Sequence, residues 1–136
     1  MVNAEMFLEH VPDLLKTMAE IHRVLCDGGR LCATVPYWTG SNAWDDPTHV
    51  RAFTSKTFDW FSPRPERSSY MSERHQERPR WEAVRSKIEV SAAMPFLDVI
   101  PRILGPLYER FFCHILPAQG LRIEMTARKD PRPAGQ

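Results

Sequence analysis

Hydrophobic positions along the chain recur with two different periods. Leu14, Leu15, Met18, Ile21, Val24 and Leu25 fall at helical spacing, with Lys16, Glu20, His22 and Arg23 on the other face. This pattern predicts an amphipathic helix with one buried stripe. Pro12 and Asp13 suit a helix start, where a missing N–H is tolerated and an acceptor for free N–H groups is welcome, and Gly28-Gly29 supplies a positive-φ exit. Leu31-Cys32-Ala33-Thr34-Val35 follows, short, uncharged and β-leaning, and Pro36 stops it. A helix, a Gly-Gly turn and a buried strand in succession read as the second half of a βαβ unit, which implies a parallel sheet covered by helices and the α/β class.

Tyr37 to Phe53 is rich in turn formers and predicts a loop leaving the C-terminal end of that strand, the end at which open parallel sheets bind ligands. Thr54 or Ser55 is placed to cap a short helix holding Phe58, Trp60 and Phe61, which Pro63 and Pro65 end. Arg64 to Arg80 lacks apolar periodicity and reads as a mobile loop. Val84, Ile88 and Val90, within Trp81–Val90, and the alternation of Leu121, Ile123, Met125 and Ala127 predict two strands, an antiparallel pair. Between them, Phe96 to Leu116 carries a broad apolar helical stripe, kinked or broken by Pro101 and Pro106. Residues 130–136 read as a disordered tail.

Composition narrows the classes. With 136 residues, 43% hydrophobic and 26% charged, the chain has the profile of one globular domain. A net charge of +1 gives no field for a polyanion, so no nucleic-acid partner is expected. No run of about 18 uncharged apolar residues exists to form a transmembrane segment. Cys26, Cys32 and Cys113 are an odd, widely spaced set, indicating neither a disulfide framework nor a zinc knuckle, and a reducing cytoplasmic setting is the simplest expectation.

Two stretches carry a resemblance. Glu5-Met6-Phe7-Leu8-Glu9-His10-Val11-Pro12-Asp13, continuing through Ile21-His22-Arg23-Val24-Leu25 to Gly28-Gly29-Arg30-Leu31, resembles class I S-adenosylmethionine-dependent methyltransferases in the order of its turn, helix, Gly-Gly turn and fifth strand. Asp46-Pro47-Thr48-His49-Val50-Arg51-Ala52-Phe53-Thr54 looks like the loop of a type-11-like subgroup, and Tyr108-Glu109-Arg110-Phe111 with Ile115-Leu116-Pro117-Ala118 extends the likeness. The resemblance spans residues 1–129. It implies a partial Rossmann-like methyltransferase fold, with parallel strands, a C-terminal antiparallel hairpin and flanking helices. It also implies S-adenosylmethionine as cofactor and a small-molecule methyl acceptor, apolar if the Phe96–Leu116 stripe serves as a lid. The glycine-rich loop that approaches the cofactor in that family is not among these residues. The chain is therefore expected to be the C-terminal half of such a domain, a truncated form of the enzyme. The alternative is a noncatalytic interaction module, pairing with a second copy or with a partner through an exposed sheet edge and the Phe96–Leu116 surface. A third expectation is lipid association through the Phe96–Leu116 stripe.

Methyl transfer to oxygen or nitrogen needs the acceptor positioned and deprotonated, and His10 and His49 are the best-suited bases. The bland alternatives are that His10 caps the following helix and that His49 tethers its own loop. Tyr37, Trp38, Asp46 and Arg51 are candidate substrate-binding residues, and Glu5 and Met6 are placed by the resemblance at the cofactor. For Asp45-Asp46-Pro47 the competing reading is turn chemistry; for Tyr37, Trp38 and Trp44 it is burial against the sheet. Glu5, Glu9, His10 and His49 form a set suited to a divalent metal. Some relatives hold a metal with a glutamate, two residues, then glutamate-histidine; here Met6 stands at the first glutamate, and no metal is the primary expectation.

Overall fold

The computed structural model describes residues 1–62, 81–91 and 94–129, and the expected loop over 64–80 and the tail over 130–136 lie outside them. Strand β1 (Val2–Glu5) leads to helix α1 (Leu14–Val24) and strand β2 (Arg30–Pro36); β3 (Trp81–Glu89), a short helix α2 (Val99–Leu104) and β4 (Gly120–Ala127) follow. The sheet order is β1-β2-β4-β3.

Helix α1 starts where the sequence places it. The Asp13 carboxylate accepts from the Lys16 N–H at 2.9 Å, satisfying one of the free donors of the first turn. Leu14 and Met18 are buried, Ile21 packs against the core and Leu25 closes the stripe, whereas Leu15 and Val24 face solvent. The true stripe is thus narrower than the apolar pattern: at about 100° per residue, Leu15 and Val24 lie on its flanks. Gly28 adopts φ +72°, a conformation that favours glycine, and its N–H bonds the Ala127 carbonyl at 2.9 Å. The turn therefore feeds β2 into register beside β4.

The α/β class holds, but the sheet is less parallel than the βαβ reading implied. Only β1 and β2 run parallel, from Val2 opposite Leu31 to Glu5 opposite Thr34. β4 pairs antiparallel with both β2 and β3. The chain returns to the sheet between β2 and β3 from the opposite direction, so the expected antiparallel pair makes up half of a four-stranded sheet. Leu121, Ile123, Met125 and Ala127 all point into the core, and Arg122 and Glu124 to the other face.

Phe96–Leu116 is broken, as its prolines imply, into a 3₁₀ turn (Pro95–Asp98), the six-residue α2 and a π turn (Tyr108–Phe112). Pro101 is tolerated near the start of α2, but Gly105 at φ +52° and the missing N–H of Pro106 end it. Such short pieces bury only Pro101, Tyr108 and Cys113. Phe96, Val99, Ile103, Leu107, Phe111 and Ile115 are exposed, while Ile100 and Leu104 pack against the core, so only part of the stripe is covered. The helix expected at Phe58–Phe61 is a 3₁₀ turn preceded by Thr57 and has no side-chain cap; Phe58 and Phe61 are buried. No helix among the described residues is long and apolar enough to cross a membrane.

Buried tyrosines tie the loops down. The Tyr37 hydroxyl donates to Glu109 Oε1 at 2.7 Å, the same oxygen that accepts from the Ser55 N–H, and the Tyr108 hydroxyl donates to the Leu116 carbonyl at 2.6 Å. Burial pushes the Tyr108 phenol up to about 12 and raises Tyr37 as well, with Glu109 adding to the latter. A raised folded value means the neutral form stabilises the fold fully below the ordinary value near 10, and that contribution is lost as pH rises through about 12. Stability followed by urea denaturation is therefore expected to decline above pH 10, together with delayed tyrosinate absorbance. Ile123→Ala is expected to cost about 2–5 kcal/mol, and Ile115→Ala, on the exposed segment, at most about 0.5 kcal/mol.

Candidate functional site

Because β1 and β2 are parallel, the loops that leave their carboxyl ends emerge on the same edge of the sheet. Residues 6–13 leave β1 and residues 37–53 leave β2. Met6 turns the chain out of β1 at φ +48°, unusual for a residue with a side chain, while its N–H bonds the Thr34 carbonyl at 2.9 Å. The two loops are then joined directly. The Val50 N–H donates to the Glu9 carbonyl at 2.9 Å, and Arg51 Nη2 donates to the Val11 and Pro12 carbonyls, each at 2.8 Å.

This clamp brings Glu9, His10 and His49 together. One ligand atom from each lies within 4.8 Å of the others, and the two imidazole rings meet edge to face with centroids 4.7 Å apart. His49 Nδ1 lies 3.2 Å from the Ala43 carbonyl, which only accepts, so Nδ1 carries the proton. His10 is oriented by a chain of bonds. The Thr48 hydroxyl donates to Asp46 Oδ1 at 2.7 Å, leaving its oxygen to accept from His10 Nδ1–H at 2.9 Å. Asp46 also accepts from the Thr48 N–H at 2.8 Å, and these Thr48 bonds hold its carboxyl below the usual carboxylate range, as an acceptor. In the neutral form both imidazoles thus carry their proton on Nδ1 and leave the lone pair on Nε2.

Glu9 is the odd member. It is fully buried, and among the described residues neither carboxylate oxygen has a hydrogen-bond partner. Removing an ionised carboxylate from water without a partner costs several kcal/mol, of order the stability of a small domain. Two imidazoles and a carboxylate form a donor set that fits a first-row divalent ion.

The other candidates fall into two groups. Asp46 stands in the cluster as an orienting acceptor, and Arg51 beside it as the clamp between loops. Glu5 is exposed at the end of β1 and lies outside the three-residue cluster, and Met6 is half-exposed next to it. Tyr37 is in the core with its hydroxyl engaged by Glu109, and Trp38 packs edge-on against His114 at 5.3 Å, away from the histidine pair in contact terms. Trp44 is exposed, donating from its indole to the Trp38 carbonyl at 3.0 Å. Of the bland readings, helix capping belongs to Asp13 and not to His10, while His49 does tether its loop through Ala43. Thr48 was not anticipated, although an Asp two residues before a Thr is the spacing of a side-chain turn that would have marked it.

No protein-family model matches the chain, and no curated protein or solved structure does either.

The bond directions predict that nitrogen NMR of the imidazoles finds both His10 and His49 in the Nδ1–H form when neutral. Thr48→Val is expected to release His10 to a tautomer mixture and leave His49 unchanged. An Nε2–H form at either position in the parent protein would contradict the assigned network.

Proposed function

We propose that this chain forms the acceptor side of a class I, type-11-like S-adenosylmethionine-dependent methyltransferase domain. The observation that carries the reading is the pair of oriented imidazoles, His10 and His49, at the shared carboxyl edge of a parallel β-α-β unit. Support also comes from the residue-by-residue resemblance of residues 5–31 and 46–54, and from an antiparallel strand pair that follows the parallel one.

The chain's own contribution is positioning and proton removal. An acceptor O–H or N–H placed against the Nε2 lone pair of His10 gives up its proton there, while Thr48 and Asp46 hold the ring and balance the imidazolium charge. Met6 and Phe7, half-exposed in the same loop, offer apolar contact to a small-molecule acceptor. The cofactor supplies the methyl group. The residues here do not form a complete cradle for it: the chain has six glycines, and no glycine-rich strand-to-helix turn is among them. Glu5 and Met6 at the end of β1 are the residues placed to contact it.

Even a partial site favours the folded over the unfolded chain, so S-adenosylhomocysteine is expected to raise the thermal midpoint with rising concentration. Glu5→Lys is expected to remove that shift. A cooperative melt that millimolar S-adenosylhomocysteine leaves unmoved would overturn the reading.

A second reading, a noncatalytic interaction module, draws on the exposed apolar row of Phe96, Val99, Ile103, Leu107, Phe111 and Ile115. β1 adds to it, pairing on one side only among the described strands. Sedimentation separates the two: a dimer that Ile103→Glu dissociates supports the module, and a monomer at high concentration removes it.

A further inference from the structure

Methyl transfer as described takes the proton on His10 and leaves Glu9 and His49 without a chemical step. We propose that Glu9, His10 and His49 bind one first-row divalent transition-metal ion, with Asp46, Thr48 and the Ala43 carbonyl as its orienting outer shell.

Three independent features converge on this assignment. The first is the fully buried Glu9 carboxylate, to which no described residue donates a hydrogen bond. A cation supplies the missing partner; no described arginine hydrogen-bonds the carboxylate, Arg51 directing its Nη2 to the Val11 and Pro12 carbonyls. The second is the spacing. Donors on a common ion at about 2.1 Å are separated by at most about 4.2 Å. The 4.8 Å envelope of Glu9, His10 and His49 lies about 0.6 Å above that limit. The third is the tautomer. Metal-binding histidines characteristically donate their other N–H to a carbonyl or a carboxylate-backed acceptor, which fixes the ring and raises the basicity of the free nitrogen. His49 does so to Ala43, and His10 does so through Thr48 to Asp46.

The donor types choose the ion. Magnesium and calcium favour all-oxygen surroundings, whereas two imidazoles with one carboxylate suit zinc, cobalt, manganese or ferrous iron. Three protein donors leave coordination positions for water or an acceptor oxygen. Glu5, exposed and outside the cluster, is not a ligand. The inference rests on the donors alone; an ion on His10 Nε2 occupies the lone pair that would otherwise take the acceptor's proton, so ion and His10 base are alternatives at that nitrogen and can fail separately.

The test is titration of the chelator-stripped chain with Co²⁺, followed by visible absorption, and with Zn²⁺ by calorimetry, with Mg²⁺ as the contrast. One ion per chain, a Co²⁺ spectrum displaced by Zn²⁺, and at least tenfold weaker binding in Glu9→Gln and His49→Asn are expected, whereas Asp45→Asn retains parental affinity. Thr48→Val, which keeps all three ligands, is expected to bind several-fold more weakly; it serves as the readout if a ligand variant fails to give a folded circular-dichroism spectrum. Absence of Co²⁺ and Zn²⁺ binding by the folded parent chain, or binding that none of these substitutions weakens, would overturn the proposal.

Discussion

The parallel pairing of β1 with β2 is the constraint on which the rest of the structure depends. Two strands that run the same way cannot be joined by a tight turn, so the chain must cross over, and α1 is that crossover. The same pairing sends both following loops off one edge. Without it, Glu9 and His10 would stand at the opposite end of the sheet from His49. The burial of α1 through Leu14, Met18 and Leu25 fixes the crossover, and the antiparallel β4 fixes the far side of β2.

On that edge the structure accepts a cost. The loop clamps of Val50 and Arg51 satisfy backbone carbonyls, as expected of polar groups removed from water. Glu9 is held in the same place without such compensation. A core chosen for stability alone would put an apolar residue there, since a buried carboxyl without a hydrogen-bond partner is among the features that destabilise a domain. The strained φ of Met6, one turn away in the same loop, is a second local departure from what the backbone prefers. Departures of this kind gather where a protein binds something.

The sequence made some of this legible and hid the rest for physical reasons. Asp13, Gly28 and the alternation of Leu121, Ile123, Met125 and Ala127 act through local chemistry, and helix start, turn and strand all lie where they point. His10 and His49 were recognisable as partners because a parallel unit implies a shared edge. The order of the strands was not legible: nothing local tells β4 to enter between β2 and β3. Nor was the exposure of the Phe96–Leu116 row: Pro101 and Pro106 signalled a break, but not that the short pieces leave most of its apolar residues in solvent. Tyr37 and Arg51, candidate substrate-binding residues by sequence, are each absorbed in holding loops together.

The central claim is that the Glu9 carboxylate is retained for a ligand and not for the fold. The most direct measurement is the urea-unfolding free energy of Glu9→Met against the parent chain, both stripped of divalent ions. Replacing a buried carboxyl that lacks a hydrogen-bond partner by an apolar side chain of similar size is expected to stabilise the stripped protein by about 1 kcal/mol or more. A loss of comparable size in Glu9→Met would contradict the account and assign the carboxylate a structural role.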